Sequence, residues 1–186
     1  MPTRIVAGQY RHRILRVPPG QKTRPTLARL KESLFSFLGQ SVEGSVVCDL
    51  FAGCGSLGLE ALSRGASRVT FVERDRIALS CIKENVDKLG AGNNIEIVKD
   101  DVFKFLSTCS SGKRIFDITF ADPVYSSGDT GRLLEFFEAA LNVTTLLCLE
   151  HDKDEELDSA GPRSEIIKTI ASSDKRVSVF RFRGNK

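Results

Sequence analysis

The sequence predicts an α/β domain built on a seven-stranded mixed sheet with helices on both faces. From residue 46 onward, short apolar runs of strand length alternate with stretches of helical periodicity. Single helices between successive strands imply right-handed crossovers and therefore a parallel arrangement. The final apolar stretches, 164–171 and 176–183, follow each other without a helix and are predicted to pair antiparallel, so the last strand should run against the others.

The alternation defines the remaining elements. Strands are predicted at 46–50, 68–73, 94–98, 115–121 and 145–150, and helices at about 56–64, 75–89, 102–107 and 131–141. An earlier helix should start near Pro25, which disfavours helix at Arg24, with Thr26 as its cap. Its expected apolar stripe is Leu27, Leu30, Leu34, Phe37 and Leu38. The polar segment 151–164 is predicted to be a solvated loop.

The N-terminal part of the chain carries the basic charge. Residues 1–31 contain eight basic residues and no acid, whereas the remainder has a net charge of −5. Residues 4–17 are predicted to form a basic hairpin that turns near residues 8–11. A positive segment on an acidic body indicates RNA or DNA as a partner, and a solvated basic face is the alternative. The candidate RNA contacts are Arg4, Tyr10, Arg11, Arg13 and Arg24, with Tyr10 offering a ring for base stacking.

Composition limits the class of protein. With 186 residues and 41% hydrophobic content, one globular domain is expected. The start of the chain has no apolar signal region, and no apolar run is long enough to span a bilayer, so we expect a cytoplasmic protein and a monomer. Five scattered cysteines without a C-x-x-C pair indicate reduced thiols, and only two histidines argue against a zinc or iron site.

Closely spaced glycines follow the first predicted strand of the alternation. Gly53, Gly55 and Gly58 can form a tight turn whose backbone N–H groups approach a nucleotide-type ligand. Their spacing fits a nicotinamide dinucleotide as well as S-adenosylmethionine, and a glycine turn without a ligand is a third alternative. Four acids fall at or just past predicted strand ends, which places them on one rim with the glycine loop: Asp49, Glu73, Asp101 and Asp122.

Three of these acids suit an adenosyl ligand. Glu73, 20 residues after Gly53, can accept hydrogen bonds from both hydroxyls of a ribose. Asp101 can accept from an adenine amino group, while the N–H of Val102 can donate to a ring nitrogen. The adjacent Asp100 could face the ligand in place of Asp101. Asp49 either binds the amino acid portion of the cofactor or caps backbone N–H groups.

Asp122-Pro123-Val124-Tyr125 follows the fourth strand of the alternation. An exocyclic amine on a base is a weak nucleophile, because its lone pair is delocalised into the ring. The Asp122 carboxylate and the Pro123 carbonyl can accept both amine hydrogens, and the Tyr125 ring can stack on the base. A methyl group on a sulfonium is already activated, so alignment can supply most of the remaining rate and no metal is required.

These residues resemble the class I S-adenosylmethionine-dependent methyltransferases with a Rossmann-like fold, and more narrowly the RsmD family of bacterial 16S ribosomal RNA guanine-N2 methyltransferases. The similarity covers nearly the whole chain, with its motifs at 4–11, 24–26, 31–35 and 49–65. The resemblance implies methyl transfer to the 2-amino group of a guanine in small-subunit rRNA, in an assembling or assembled subunit. It divides the chain into an RNA-contacting part, 1–24, and a methyltransferase domain, 25–186.

The implied site has two parts. The cofactor S-adenosylmethionine is expected at Asp49, Phe51, Gly53, Gly55, Gly58, Glu73, Asp101 and Val102. The catalytic residues are expected to be Asp122, Pro123 and Tyr125. Val124 stands where the family pattern has a second proline, which frees one φ angle and should weaken preorganisation without abolishing activity.

Two other functions fit the same residues. The motif geometry would also serve an amino-group methyltransferase acting on adenine or on a protein glutamine, although Asp122 and the Arg24-Pro25-Thr26 segment favour guanine in RNA. A non-catalytic RNA-binding protein that keeps the fold is the second alternative. It predicts RNA binding without methyl transfer.

Overall fold

The computed structural model describes residues 2–20, 25–110, 115–123, 128–140, 144–157 and 161–183. The helices are α1 (Pro25–Leu38), α2 (Ser56–Ser63), α3 (Arg76–Leu89), α4 (Val102–Ser110) and α5 (Asp129–Ala139). The strands are β1 (Val46–Leu50), β2 (Arg68–Glu73), β3 (Ile95–Lys99), β4 (Phe116–Ala121), β5 (Thr144–Asp152), β6 (Ser164–Ala171) and β7 (Lys175–Phe182). The predicted alternation of strands and helices is confirmed. In this described part of the chain, no helix is both long and apolar enough to cross a membrane.

One seven-stranded sheet organises the domain, in the order β3-β2-β1-β4-β5-β7-β6. Strands β1 to β5 are parallel, and β7 lies antiparallel to both β5 and β6. The predicted mixed sheet, with its last strand reversed, is therefore confirmed. The order of the strands reverses between β1 and β4, and in open α/β sheets ligands bind in the crevice at such a reversal, outside the carboxyl ends of the strands.

Helices cover both faces of the sheet. Buried side chains of α1, α2 and α3 share one core, and those of α4 and α5 share the other. Because successive strand residues point to opposite faces, Val47 belongs to the first core and Cys48 to the second. Both helix layers therefore anchor β1, whose carboxyl end starts the glycine loop.

Helix α1 differs from its prediction in two details. It begins at Pro25, so Thr26 lies in its first turn and not at the N-cap position. Phe35 is fully buried, with its ring centroid 5.4 Å from that of Phe120 on β4, whereas Phe37 is 40% exposed. The prediction that Phe37 belongs to the buried stripe is therefore wrong, because the sheet lies on the side of Phe35.

The segment after Glu150 also differs from its prediction as a solvated loop. Strand β5 continues to Asp152, and His151 is buried, with Nε2 2.9 Å from the Ser178 hydroxyl oxygen. Pairing with β7 continues this far because Asp152 lies opposite Lys175 in the antiparallel ladder. This pairing brings Lys175, at the start of β7, to the ligand edge of the sheet, where it lies beside Glu150 of β5.

Residues 2–20, called here the N-terminal segment, form two antiparallel limbs. A single bridge joins Arg4 and Ile14, and the N–H of Ile5 donates to the Arg13 carbonyl at 3.0 Å. The limbs do not extend into strands of the predicted length. Ile5 and Leu15 are buried in the same core as α1, α2 and α3, so this segment packs directly on the sheet domain.

A fully buried carboxylate on α2 holds the first limb. Glu60 accepts hydrogen bonds from the N–H groups of Val6, at 2.8 Å, and Ala7, at 3.1 Å. The Lys31 ammonium lies 3.4 Å from the same carboxylate, and the Arg64 guanidinium donates to it at 2.9 Å. A buried charge requires such partners, so the limb is part of the arrangement that satisfies Glu60.

A buried amide on α3 holds the second limb. The Asn85 side-chain oxygen accepts from the N–H of Arg16 at 2.7 Å, and its amino group donates to the Arg16 carbonyl at 3.0 Å. The same amino group donates to the carbonyl of Cys54, in the glycine loop, at 3.1 Å. Asn85 thereby joins the N-terminal segment to the loop that follows β1.

Candidate active site

The glycine loop turns the chain sharply between β1 and α2. Phe51, Gly53 and Gly55 all have positive φ angles, of 54°, 56° and 77°. The N–H of Gly55 donates to the Ala52 carbonyl at 2.7 Å, which closes the turn. A bulky residue such as Phe51 rarely adopts this conformation, and strained backbone of this kind clusters at ligand sites.

Gly58 has a packing role. It lies in α2, and a Cβ atom there would be 2.4 Å from the Phe71 ring and 2.8 Å from Val69, both on β2. Helix α2 can approach the sheet this closely only because position 58 has no side chain. Its predicted cofactor contact stays a prediction.

Asp49, on β1, lies beneath the loop. Its side chain is buried, and it accepts a hydrogen bond from the N–H of Gly58 at 2.8 Å. The pKa of Asp49 is raised to about 8, chiefly by burial and to a lesser extent by the nearby Asp122 and Glu73, against the lowering effect of the Gly58 N–H. Of the two roles predicted for Asp49, the structure shows the second, in which the carboxylate caps a backbone N–H group, that of Gly58.

Glu73, the last residue of β2, bridges two backbone segments. One carboxylate oxygen accepts from the N–H of Gly53 at 2.9 Å. The other accepts from the N–H groups of Arg74 and Asp75, at 2.8 Å each. These bonds fix the carboxylate at the mouth of the glycine loop, and the oxygen bound to Gly53 keeps capacity for a further hydrogen bond.

Asp101 caps α4. Its Oδ1 atom accepts from the N–H groups of Phe103, at 3.0 Å, and Lys104, at 3.2 Å. Within the described residues, the N–H of Val102 makes no hydrogen bond, as expected at the first position of a helix. This N–H is a donor at the carboxyl end of β3, which is where the sequence predicted it.

The neighbouring Asp100 makes different contacts. It accepts from the N–H of Asp101 at 2.9 Å and lies 3.4 Å from the Lys104 ammonium. The second oxygen of Asp101 lies 3.8 Å from the Arg74 guanidinium. Because neither aspartate is buried, either can still turn a carboxylate oxygen towards a ligand.

Asp122 directly follows β4, beside the glycine loop. Leu50 lies opposite Ala121 in the parallel ladder, so the chain leaves β1 and β4 at the same level. The Asp122 side chain is 45% exposed, and Pro123 is buried. Val124 and Tyr125, like Arg24, lie outside the described residues.

Lys175 and Glu150 also lie at this edge, and the sequence did not indicate either of them as a site residue. The Lys175 ammonium lies 2.5 Å from a carboxylate oxygen of Glu150 and 3.8 Å from Oδ1 of Asp122. Lys175 is the first residue of β7, and only the antiparallel direction of β7 brings its start to the carboxyl end of β5. The predicted reversal of the last strand was the signal that could have found it.

Four of the five predicted RNA contacts, all except Arg24, lie on the N-terminal segment. The N–H of Tyr10 donates to the Ser63 hydroxyl at 2.9 Å, at the end of α2 remote from the glycine loop. Because a helix rises 1.5 Å per residue, this point lies roughly 10 Å from the rim. The carbonyl of Arg4 accepts from Lys31, which also donates to Ser56 at the start of α2. Arg4 is therefore nearer the rim than Tyr10, and Arg11 and Arg13 lie in the same segment.

Other chemistry has little support here. Among the residues that the structure describes, no group of three or more His, Cys, Asp or Glu side chains could hold a metal ion. All five cysteines are buried, and none of them forms a disulfide bond. Burial raises the pKa of Cys54, in the glycine loop, to about 11, so this thiol stays protonated near neutral pH.

One protein-family model matches almost the whole chain. The model described as "Conserved hypothetical protein 95" matches residues 3–181. The chain belongs to this family. Relatives include Ribosomal RNA small subunit methyltransferase D of Haemophilus influenzae, 36% identical over 146 residues that form 78% of this chain and 70% of the relative. The protein of that name from Escherichia coli is 38% identical over 135 residues, 71% of this chain and 66% of the relative. The predicted membership of the RsmD family is confirmed.

Solved structures give the same fold for this RsmD-family chain. The yhhF protein of Escherichia coli has a TM-score of 0.85 and 29% identity, with 98% of both chains covered. The 16S rRNA N2 G1207 methyltransferase RsmC of T. thermophilus, in complex with AdoMet and guanosine, has a TM-score of 0.73 and 22% identity, over 98% of this chain and 50% of that one. The predicted Rossmann-like methyltransferase fold is confirmed.

Proposed function

We propose that this chain transfers a methyl group from S-adenosylmethionine to the exocyclic 2-amino group of a guanine in small-subunit (16S) ribosomal RNA. The observation that carries the proposal is the position of Asp122 beside the glycine loop, where the strand order reverses between β1 and β4. There a methyl donor on the loop and an amine on the aspartate would meet. The RsmD relatives support rRNA as the substrate.

The residues on the β1 to β3 side of the rim, called here the cofactor half, fit an adenosyl ligand. Glu73 is fixed at the loop mouth by three backbone N–H groups, and its oxygen beside Gly53 retains capacity to accept from a ribose hydroxyl. The N–H of Val102 is available for an adenine ring nitrogen, and an aspartate beside it for the amino group. The left-handed turn at Gly53 and Gly55 lets a ligand approach the backbone.

The residues after β4, called here the base half, act on the amine. S-adenosylmethionine, when bound, supplies a methyl group already activated on sulfur. The Asp122 carboxylate and the Pro123 carbonyl accept the two amine hydrogens, which favours a pyramidal nitrogen with an available lone pair. Once the carbon–nitrogen bond forms, Asp122 accepts the proton that the nitrogen loses. Tyr125 is assigned to stacking on the guanine.

The basic N-terminal segment is assigned to the RNA backbone. Arg4, Arg11 and Arg13 lie on a segment clamped to α2 and α3, so bound RNA would be held in fixed register with the rim. We assign Arg24 to the target nucleotide or the cofactor. The proposed substrate is 16S rRNA in an assembling or assembled small subunit, methylated in the cytoplasm by a monomer.

A methyl-transfer assay tests the proposal. Purified chain and labelled S-adenosylmethionine are combined with naked 16S rRNA, small-subunit particles, DNA or a release-factor protein, and the methylated nucleoside is identified. N2-methylguanine from rRNA or particles is expected, with Asp122→Ala as the inactive control. Methylation of DNA or protein alone would favour the adenine or glutamine alternative, and RNA binding without turnover would favour the non-catalytic one.

Cofactor identity has a separate test. S-adenosylhomocysteine is expected to raise the melting temperature, because a ligand that binds only the native state stabilises it. NAD is expected to leave the melting temperature unchanged. A shift with NAD alone would reject the adenosyl assignment.

A further inference from the structure

The turn between β6 and β7 delivers an ordered lysine to the active-site rim. Lys175 and Ser172 are joined by two backbone contacts: the N–H of Ser172 donates to the Lys175 carbonyl at 2.8 Å, and the N–H of Lys175 donates to the Ser172 hydroxyl at 3.2 Å. The Ser172 hydroxyl also donates to the Lys175 carbonyl at 2.9 Å. The backbone from which the lysine side chain projects is therefore fixed.

The lysine side chain joins two carboxylates from different strands. Its ammonium contacts Glu150 on β5 at 2.5 Å and lies 3.8 Å from Oδ1 of Asp122, which follows β4. The side chains of Lys175 and Glu150 are only 22% and 11% exposed, whereas that of Asp122 is 45% exposed. The ammonium is thus anchored on the buried partner and reaches the more exposed one.

Asp122 requires such a contact if it is to align an amine. The terminal torsion of an aspartate is broad, so the contacts of its carboxylate oxygens decide its orientation. Glu73 and Glu150 add acidic groups at the same edge, and a cation beside Asp122 offsets their repulsion. An anchored ammonium meets both requirements.

We propose that Lys175 is a positioning residue for methyl transfer, whose ammonium, anchored on Glu150, holds the Asp122 carboxylate in the orientation that receives the target amine. This inference rests on the proposed function. The base half then includes Lys175, which comes from the last strand of the sheet. It lies about 50 residues after Asp122, the aspartate that it positions. Cofactor binding, on the other side of the rim, does not depend on it.

Kinetics of Lys175→Met test the inference. Because small displacements of an aligning group are costly, kcat on rRNA is expected to fall about 10-fold to 100-fold at saturating cofactor. The KM for S-adenosylmethionine should change less than about twofold, since uniform binding is retained. Lys175→Arg, which keeps the charge, should recover most of the rate. Arg181→Met removes another β7 cation, which lies 3.7 Å from Glu165, and should leave kcat unchanged.

A double-mutant cycle separates positioning from a structural role. In an Asp122→Asn background, the effect of Lys175→Met on kcat should largely disappear, because residues in one network are not additive. If Lys175→Met fails to fold, Glu150→Gln replaces it in the same cycle, with a smaller loss of kcat expected. Two results would overturn this inference but not the proposed function. One is wild-type kcat in Lys175→Met, and the other is that Lys175→Met lowers kcat by the same factor in the Asp122→Asn background. An inactive wild type would overturn it together with the proposed function.

Discussion

The two halves of the rim are held in different ways. In the cofactor half, the carboxylates of Asp49 and Glu73 accept hydrogen bonds from backbone N–H groups of the loop and of the turn beside it. In the base half, Asp122 lies near the Lys175 ammonium, which Glu150 anchors. Asp49 is 2% exposed and Asp122 is 45% exposed.

This difference separates preformed geometry from adjustable geometry. Backbone N–H groups are placed by the fold itself, so the cofactor half exists before any ligand binds. In the base half, side chains from β5 and β7 hold the Asp122 carboxylate, so a substitution there can change its orientation without disturbing the backbone. Substitutions in the two halves should therefore separate cofactor binding from turnover.

The largest effect is expected in the base half. Asp122→Asn removes the charge that favours a pyramidal amine and accepts the proton, so kcat on rRNA should fall about 1,000-fold, as on loss of a key transition-state contact. The thermal shift with S-adenosylhomocysteine should remain nearly intact. Single-turnover methylation and thermal melting measure the two quantities, and loss of the thermal shift would contradict the division of the rim.

The next effect is expected in the cofactor half. Glu73→Ala removes the acceptor for the ribose and for three backbone N–H groups, so affinity for S-adenosylhomocysteine should fall about 10-fold to 100-fold, as for a lost charged hydrogen bond. Glu73→Gln keeps one acceptor oxygen and should lose less. Isothermal titration measures the affinities. Equal affinities for Glu73→Ala and Asp122→Asn would show that the halves are not separate.

A pH-dependent effect is expected at Asp49. Its pKa is about 8 in the folded chain against 3.8 for the ordinary carboxyl, so the unfolded state ionises first as the pH rises. Wild-type stability should therefore fall between about pH 4 and pH 8, whereas Asp49→Asn avoids this loss and keeps an acceptor for Gly58. Urea unfolding should show the variant equal to the wild type near pH 4 and more stable by several kcal/mol at pH 8. A constant difference across this range would contradict the assignment.

The smallest effect is expected from the N-terminal segment, which lies outside both halves. Replacing Arg11 and Arg13 with Ala should weaken RNA binding about tenfold and lower the salt slope by about one unit for each lost phosphate contact. Affinity for S-adenosylmethionine should not change. Replacing Arg181 and Arg183, two exposed cations at the end of β7, provides the charge-matched control. If the Arg11/Arg13 variant kept wild-type RNA affinity and salt slope, the prediction would be wrong and RNA recognition would be assigned to the rim.

Sequence could predict those site residues that lie close together in the chain and follow a recognisable pattern. The glycine spacing and the acid that ends β2 lie within 25 residues of one another, and the structure joins Gly53 to Glu73 directly. Lys175 could not be placed in this way, because its position depends on the register between β5 and β7. The same limit applies to Phe35 and Phe37, since only the packed sheet decides which one is buried.

The N-terminal segment shows this limit most clearly. Its charge and turn were visible in the sequence, but the buried groups that clamp it were not. Glu60 and Asn85 resemble ordinary helix residues until α2 and α3 are packed against the segment. Sequence analysis therefore predicted a basic hairpin and missed its attachment to the glycine loop through Asn85.

The clamp on the N-terminal segment also sets an order in time. Val6 bonds to a residue 54 positions later, and Arg16 to one 69 positions later. Synthesis proceeds at about 5 to 20 residues per second, so the partners of Val6 and Arg16 emerge roughly 3 to 14 s after them. The N-terminal segment therefore stays unclamped until α2 and α3 have been made. A nascent chain that stops before Asn85 leaves Ile5 and Leu15 open to chaperones and proteases.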